Sequence, residues 1–405
     1  MNKIIALLLM STILINQAIE FKLGIENIPS HLMEQYAKRH WAVGLVTNQT
    51  GIDQHGNRSV DVLVKKGFTI SAIFAPEHGF EGKVQAEKAV NDAIDTKTKI
   101  PIISLYQQDS GKKISSQMLQ GIDALFFDIQ DSGMRHYTYI STLLNVLKAA
   151  AQEDKKVVVF DRPNPLGKIM EGPLVDPGLI SFISIAAIPL RHGMTMGELA
   201  EYFNKYVLEK KADLQVVPMK NYDRAFGLNY ESAPLSPNIA CKASCHGYSF
   251  LGLLGEVRPF DVGVGTAHAF QLITLPESLA IAPLLWQQLA VHLKSLGIAS
   301  VPHRYFNERK QDYYHGLRIE ISNINQVCAF NAFIATVLTF KNLGIPLQFN
   351  TNFDKAIGSK LIRSFFDGTI AYSAIVKEIN VALQLFFKNA QTVFKYVPHP
   401  EVMLH

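Results

Sequence analysis

Phe74-Ala-Pro-Glu77-His78-Gly-Phe-Glu81-Gly82 closes a largely apolar run that starts at Phe68. The run ends abruptly on a carboxylate and an imidazole, and the pattern recurs downstream. Residues 124–127 run into Asp128-Ile-Gln-Asp131-Ser-Gly-Met-Arg135-His136-Tyr137. Residues 157–160 run into Asp161-Arg162-Pro-Asn164-Pro, and residues 183–190 into Arg191-His192-Gly193. Parallel strands are buried on both faces and read as continuous apolar runs. In open α/β sheets, ligands bind in the crevice beyond the carboxyl ends of the strands. Four runs that discharge carboxylates, imidazoles and guanidiniums at one end therefore read as a parallel sheet with a polar site along its edge.

The surrounding sequence extends this reading. Residues 41–46 form a further expected strand, closed by the turn Thr47-Asn48-Gln-Thr-Gly51, and 101–105 another. Tyr139, Ile140, Leu143, Leu144 and Leu147 share one face at helical spacing. Thr195-Met-Gly-Glu198 is a capping box opening a helix to about Leu208. Alternating strands and helices argue an α/β domain with helices on both sides of the sheet. Across residues 221–247 the texture becomes loop-like, and a domain boundary is expected there, drawn at 225/226. Residues 19–225 then form the sheet domain and 226–405 a smaller α+β domain. The latter carries helix-like stretches at 284–296, 329–343 and 371–387 and a strand-like piece at 317–321.

A chain of 405 residues with 48% hydrophobic content supports two such domains. The formal charge of +4, with no dense Lys/Arg run, gives no reason to expect nucleic acid. Lys3, the apolar stretch 4–15 and Asn16-Gln-Ala18 read as a signal peptide over 1–18, too short for a membrane span. Export, to a bacterial periplasm, is the expectation, with no membrane span after cleavage. Cys241 and Cys245 are close enough in sequence to bridge in an oxidising compartment. Cys241-x-x-x-Cys245-His246 lacks two further ligands, so no metal is expected. Gly263-Val-Gly265 has His268 where a third glycine belongs, and there is neither a phosphate-binding loop nor a Gly-x-Ser-x-Gly elbow. No cofactor is expected.

Glu77 leads the candidates for chemistry. Ala-Pro fixes an extended entry, Gly79 permits a tight turn, and a partly desolvated strand-end carboxyl suits a general acid. Asp128 follows three apolar residues and is the second carboxylate expected in the site. Asp131 suits a loop organiser. Arg135, Arg162 and Arg191 carry planar forks matched to carboxylate or phosphate, or else neutralise Asp128 and Asp161. His78, His136 and His192 suit acid/base work, metal ligation or hydrogen-bonding lining. Asn164, between two prolines, has a pre-aimed amide. Glu198 belongs to the capping box.

Several strings together resemble a known family: Gly44-Leu-Val-Thr-Asn48-Gln-Thr-Gly51, Phe74-Ala-Pro-Glu-His-Gly79, Phe127-Asp-Ile-Gln-Asp131, Tyr137-Thr-Tyr-Ile-Ser-Thr142, Asp161-Arg-Pro-Asn-Pro165, Glu171-Gly-Pro173 and Arg191-His-Gly-Met-Thr195. They are similar to the NamZ-type exo-β-N-acetylmuramidases, glycoside hydrolase family 171. The resemblance runs in order from about Gly44 to Leu199 and more weakly to the C-terminus. It implies a Rossmann-like N-terminal domain, a smaller C-terminal domain and a cleft between them. It also implies release of N-acetylmuramic acid from non-reducing ends of peptidoglycan glycans, with the glutamate of Glu-His-Gly, here Glu77, as catalytic carboxylate. The chain departs from the family's usual strings at Glu81 and Val264, each an arginine there, and in Glu256-Val-Arg258-Pro259, where the family has Glu-Gly-Thr-Asn.

The expected activity is thus that of an exported glycosidase with a peptidoglycan glycan or muropeptide as partner. Glu77 would protonate the leaving oxygen, with Asp128 as second carboxylate and His78 beside them. Asn48, Asp131, Arg135, Tyr137, Arg162, Asn164, Arg191 and His192 would hold the sugar. Two other classes stay open: a muropeptide-binding protein without turnover, and a metal-dependent hydrolase using His78, Asp128 and His192.

Overall fold

The computed structural model describes residues 20–85, 88–106, 114–228 and 233–405. The expected signal segment, 1–18, lies outside them. Residues 42 to 217 contribute a seven-stranded sheet: β1 (Ala42–Thr47), β2 (Thr69–Ala75), β3 (Ala93–Ile94), β4 (Pro101–Ser104), β5 (Ala124–Asp128), β6 (Lys156–Phe160) and β8 (Asp213–Val217). The short strand β7 (Ile169–Met170) falls between the last two and pairs elsewhere. The order is β3-β4-β2-β1-β5-β6-β8, all parallel except the edge pair β3–β4. The sheet grows outward from β1 in both directions, the doubly wound arrangement that the alternating sequence predicts.

Burial on both faces explains the apolar runs. Successive strand residues point to opposite faces. Phe126 and Phe160 face a cluster with Tyr36 and Phe68, while Leu125, Phe127 and Val159 face the helices Tyr139–Gln152 and Met196–Tyr202. Phe126 meets Tyr36, Phe68 and Phe160 edge-to-face at centroid distances of 5.3, 5.5 and 5.5 Å. The capping box forms as expected: the Thr195 hydroxyl accepts from the Glu198 N–H at 3.2 Å, and the Glu198 carboxylate from the Thr195 N–H at 2.9 Å.

One expected strand is absent. Residues 183–190 are irregular, and the sheet is completed instead by Asp213–Val217. A parallel neighbour needs a crossover, usually a helix. No α-helix lies between Phe160 and Ile183, whereas Met196–Tyr202 precedes β8. Pro189 also lacks the N–H that a ladder requires.

After the sheet come β9 (Val257–Arg258), β10 (Leu272–Pro276), β11 (Ala299–Asn307), β12 (Asp312–Glu320), β13 (Gln348–Phe349) and β14 (Glu401–Val402). β10, β12 and β11 form an antiparallel sheet in that order, and β9 pairs β13. Helices Lys242–Leu254, Pro283–Ser295, Ala329–Asn342 and Tyr372–Ala390 accompany them. β11 and β12 pair Asn307 with Asp312, so residues 308–311 form a hairpin tip. β14 returns to pair with β7 on the sheet side. Among the described residues no helix is long and apolar enough to cross a membrane. Cys241, Cys245 and Cys328 are free thiols.

Candidate active site

A cavity of about 580 Å³ lies beyond the carboxyl ends of β2, β4 and β5, within the roughly 300–1,000 Å³ that small-molecule sites occupy. Its sheet-side wall is Glu77 and His78 after β2, Tyr106 after β4, then His136, Tyr137, Thr138 and residues 181–183. The C-terminal elements supply the facing wall: Tyr248, Gly252, Glu256, Arg258, Asp261, Val264, Phe270, Arg309, Lys310 and Lys355. Tyrosine and phenylalanine faces alternate with charged groups, a lining suited to a sugar's apolar C–H faces and polar edges.

Glu77 is aimed by its turn. Pro76 follows β2, His78 takes φ 70° and Gly79 φ 78°. A histidine in the left-handed region is strained. It is held there by Val84, whose carbonyl lies 2.7 Å from His78 Nδ1 and whose N–H donates to the His78 carbonyl at 3.1 Å. Glu77 is only 6% exposed, more enclosed than a bare strand end suggests, and its Oε2 accepts from the Thr138 hydroxyl at 2.6 Å.

A second carboxylate stands in the same cavity. Glu256 follows the helix Lys242–Leu254 and accepts from the Asn350 amide. Tyr248, on that helix, has its hydroxyl pKa raised well above the ordinary value by burial, then by Glu256 and Glu77. Glu77, Tyr248 and Glu256 all line the one cavity. Asp261 is committed locally, accepting from the Tyr305 hydroxyl at 2.5 Å, Asn307 at 3.0 Å and Lys310 at 2.9 Å. Burial opposes its ionisation, but the Tyr305 hydroxyl, the Gly263 N–H and Lys310 outweigh it and hold the carboxyl below its usual range.

Of the residues expected in the site, Glu77, His78 and Tyr137 line the cavity, and the others lie behind it. Asp128 is fully buried and clamped: Arg162 donates to it from Nε at 2.5 Å and Nη2 at 2.7 Å, and the Ser59 hydroxyl also bonds it. Beside it Asn48 Oδ1 accepts from the Thr50 N–H and hydroxyl at 2.9 and 2.6 Å. This network plugs the β1–β5 crevice, the topological switch point. Asp131 Oδ2 accepts from the Gly133 N–H at 2.7 Å and lies 3.5 Å from His192 Nε2. Asn164 donates to the Met194 carbonyl at 2.9 Å and accepts from the Leu166 N–H at 2.9 Å.

Arg135 and Arg191 are likewise wholly buried, and of their guanidinium nitrogens only Arg191 Nε lacks a partner among the described residues. Arg191 pairs with Glu171 at 2.8 Å and donates to the carbonyls of Leu166, Ile324 and Val327. Arg135 donates to four carbonyls, those of Pro173 (2.6 Å), Ile188 (2.9 Å), Ala356 (3.0 Å) and Ile357 (2.7 Å). The last two end the helix Thr351–Ile357, whose dipole favours a cation there. Gly358 follows at φ 72°, and a Cβ on it would meet Arg135 Nη2 at 2.3 Å. Glu81 is exposed and pairs with Lys83 at 2.7 Å, outside the cavity lining. Among the described residues no three His, Cys, Asp or Glu side chains converge on a metal position.

His136 is the cavity's orphan. It is 8% exposed, packs at a tilt against Tyr248 with ring centroids 4.8 Å apart, and among the described residues neither ring nitrogen has a hydrogen-bond partner. Burial, and then the charge of Arg135, pushes its imidazole down to about 3. The folded state thus resists a proton that the unfolded chain takes up below about 6.5. Its contribution to stability is complete above that pH and is lost as pH falls toward 3. His136→Phe is expected to flatten the pH dependence of thermal stability between about pH 4 and 6.5 by up to a few kcal/mol. Melting curves across that range check this; an unchanged slope would show that His136 does not titrate there.

Comparison with known proteins bears on this geometry. Residues 43–242 match the family model for the exo-beta-N-acetylmuramidase NamZ, N-terminal region. The peptidoglycan beta-N-acetylmuramidase NamZ of Bacillus subtilis is 33% identical over 389 residues, 92% of this chain and 91% of that one. A DUF1343 family protein of Bacteroides fragilis superposes with a TM-score of 0.81 at 30% identity, over 93% of this chain and 99% of the other. A second one from that organism has a TM-score of 0.70 at 24% identity, with the same coverage.

Proposed function

The chain belongs to the NamZ exo-β-N-acetylmuramidase family, and from that premise we propose that it is an exported glycosidase releasing N-acetylmuramic acid, or a closely related amino sugar, from non-reducing ends of peptidoglycan fragments. The observation that carries the reading is that Glu77 and Glu256 stand on facing walls of one aromatic-lined cavity. Glycoside hydrolysis ordinarily needs two carboxyl groups about the scissile bond. In this proposal Glu77 delivers its proton to the glycosidic oxygen as the bond to the anomeric carbon breaks. Glu256 stands as the carboxylate that meets the developing positive charge, and a water completes the reaction by bonding to the anomeric carbon and giving up a proton to a carboxylate. Thr138 holds one oxygen of Glu77 and so orients the other. Asp128, with both oxygens engaged by Arg162, belongs to the scaffold.

The test is turnover of a chromogenic β-N-acetylmuramide beside the matching β-N-acetylglucosaminide. The muramide is expected to be cleaved faster. Glucosaminide preference would reassign the sugar, and binding without cleavage of either would leave a glycan-binding protein. Export is tested separately, by N-terminal sequencing of the protein from fractionated cells: a mature start near Ile19 supports it, and an intact Met1 in the cytosol opposes it.

A further inference from the structure

The lysines and arginines of the cavity all stand on one wall. The sheet-side wall contributes Glu77 and no lysine or arginine. The facing wall contributes Arg258, Arg309, Lys310 and Lys355 beside Glu256 and Asp261. Two of these cations are already engaged. Lys310 lies 2.9 Å from Asp261, and Arg258 donates to the Gly255 carbonyl at 2.7 Å. Arg309 is different. Its backbone N–H is tied to Asn307 at 3.1 Å, which sets the hairpin tip. Among the described residues, however, its guanidinium has neither a hydrogen bond nor a carboxylate partner. It lies against Gly265, where an added Cβ would stand 2.7 Å from Nη2 and 2.8 Å from Cζ. Lys355 adds a second charge on the same wall, with no counter-ion among the described residues. A cation held toward a ligand cavity with its donors unspent is an anion site waiting for its anion.

We propose that Arg309 is the specificity residue for a carboxylate on the bound sugar, namely the free lactyl carboxylate that distinguishes a muramic acid from a glucosamine. The inference rests on the glycosidase reading above and names what selects the sugar. A guanidinium fork meets a carboxylate with two parallel hydrogen bonds, which a point charge cannot reproduce. The lactyl ether sits at C3 and the scissile bond at C1, on either side of the carbon that bears the acetamido group. A sugar with its glycosidic oxygen at Glu77 therefore has its carboxylate free to reach the opposite wall. The strand-end arginines offer no alternative: all three are fully buried outside the cavity lining, with Arg135 held by carbonyls, Arg191 by carbonyls and Glu171, and Arg162 by Asp128 and the Ile52 carbonyl.

The test compares N-acetylmuramic acid with its methyl ester, which keeps the shape and removes the charge. Wild-type protein is expected to bind the acid roughly 10- to 100-fold more tightly, the span of a charge-assisted hydrogen-bonded pair. Arg309→Gln should reduce that preference to about onefold, and Arg309→Lys should keep only part of it. Rising salt should erode the wild-type preference, because Arg309 is exposed. No acid preference in the wild type, or full preference in Arg309→Gln, overturns the proposal. The outcome is separable from that of the glycosidase reading. Failure to cleave any muramide defeats the reading while acid-over-ester binding still reports on Arg309. Cleavage with an undiminished preference in Arg309→Gln defeats the subsite alone.

Discussion

Glu77→Gln is expected to lose about 10²–10⁴-fold in turnover of a natural disaccharide, the usual contribution of a positioned acid. Glutamine keeps the volume and can still accept the Thr138 hydroxyl, but it has no proton to deliver. An aryl glycoside, whose leaving group needs little protonation, should lose much less. Binding of N-acetylmuramic acid should survive. Although Glu77 is only 6% exposed, the swap is nearly isosteric, so its melting temperature should shift little. Near-wild-type turnover of the disaccharide would remove Glu77 from the chemistry. A large fall in melting temperature would instead mark it as a carboxylate that holds the 76–84 turn.

Arg135→Met should act on stability, by a few kcal/mol, the cost of leaving several buried acceptors unsatisfied. The substitution strands the carbonyls of Pro173, Ile188, Ala356 and Ile357 away from water, with one fork fewer to satisfy them. Arg135→Lys should fall between, since an ammonium has three donors against five. In both variants the fraction that remains folded should keep the wild-type preference for acid over ester. Chemical denaturation together with that binding ratio checks the expectation. A stable Arg135→Lys that no longer discriminates would place Arg135 against the sugar after all.

The contrast between Arg135 and Arg309 shows how far residues alone could be read. Strands buried on both faces announce themselves as apolar runs, so β1, β2, β4, β5 and β6 were legible. β8 was not, because as an edge strand it carries Asp213 and Gln215 in the run. The polar residues at strand ends were legible as polar but not as to purpose. A loop that leaves a buried sheet must satisfy its own backbone groups, and Asp, Arg and Asn do that as readily as they bind a substrate. Arg162 and Asn164 are of this kind, and Asp128 holds Arg162 in place. The facing wall was harder, because its residues come from several separate segments brought together only by folding. Glu256 did leave a signal: a carboxylate directly after a helix C-terminus opposes the helix dipole, and such local conflicts gather at functional sites. Val264 shows the limit of reading by position. The resemblance places an arginine there, and in this chain a guanidinium reaches the neighbouring Gly265 from another strand pair, where no pattern along the chain would look for it.

The hairpin that carries Arg309 has a bearing on descent. Its tip, residues 308–311, hangs beyond the last paired residues of β11 and β12, and tips of this kind accept exchange and insertion that paired strands refuse. Glu77, by contrast, is set by a strained turn at the end of a strand deep in the sheet. Inheritance can therefore alter which sugars are admitted without touching the group that breaks the bond. A lineage moving between glycan diets would be expected to vary first at 308–311, and a mutant library confined to that tip would sample sugar preference at constant acid catalysis.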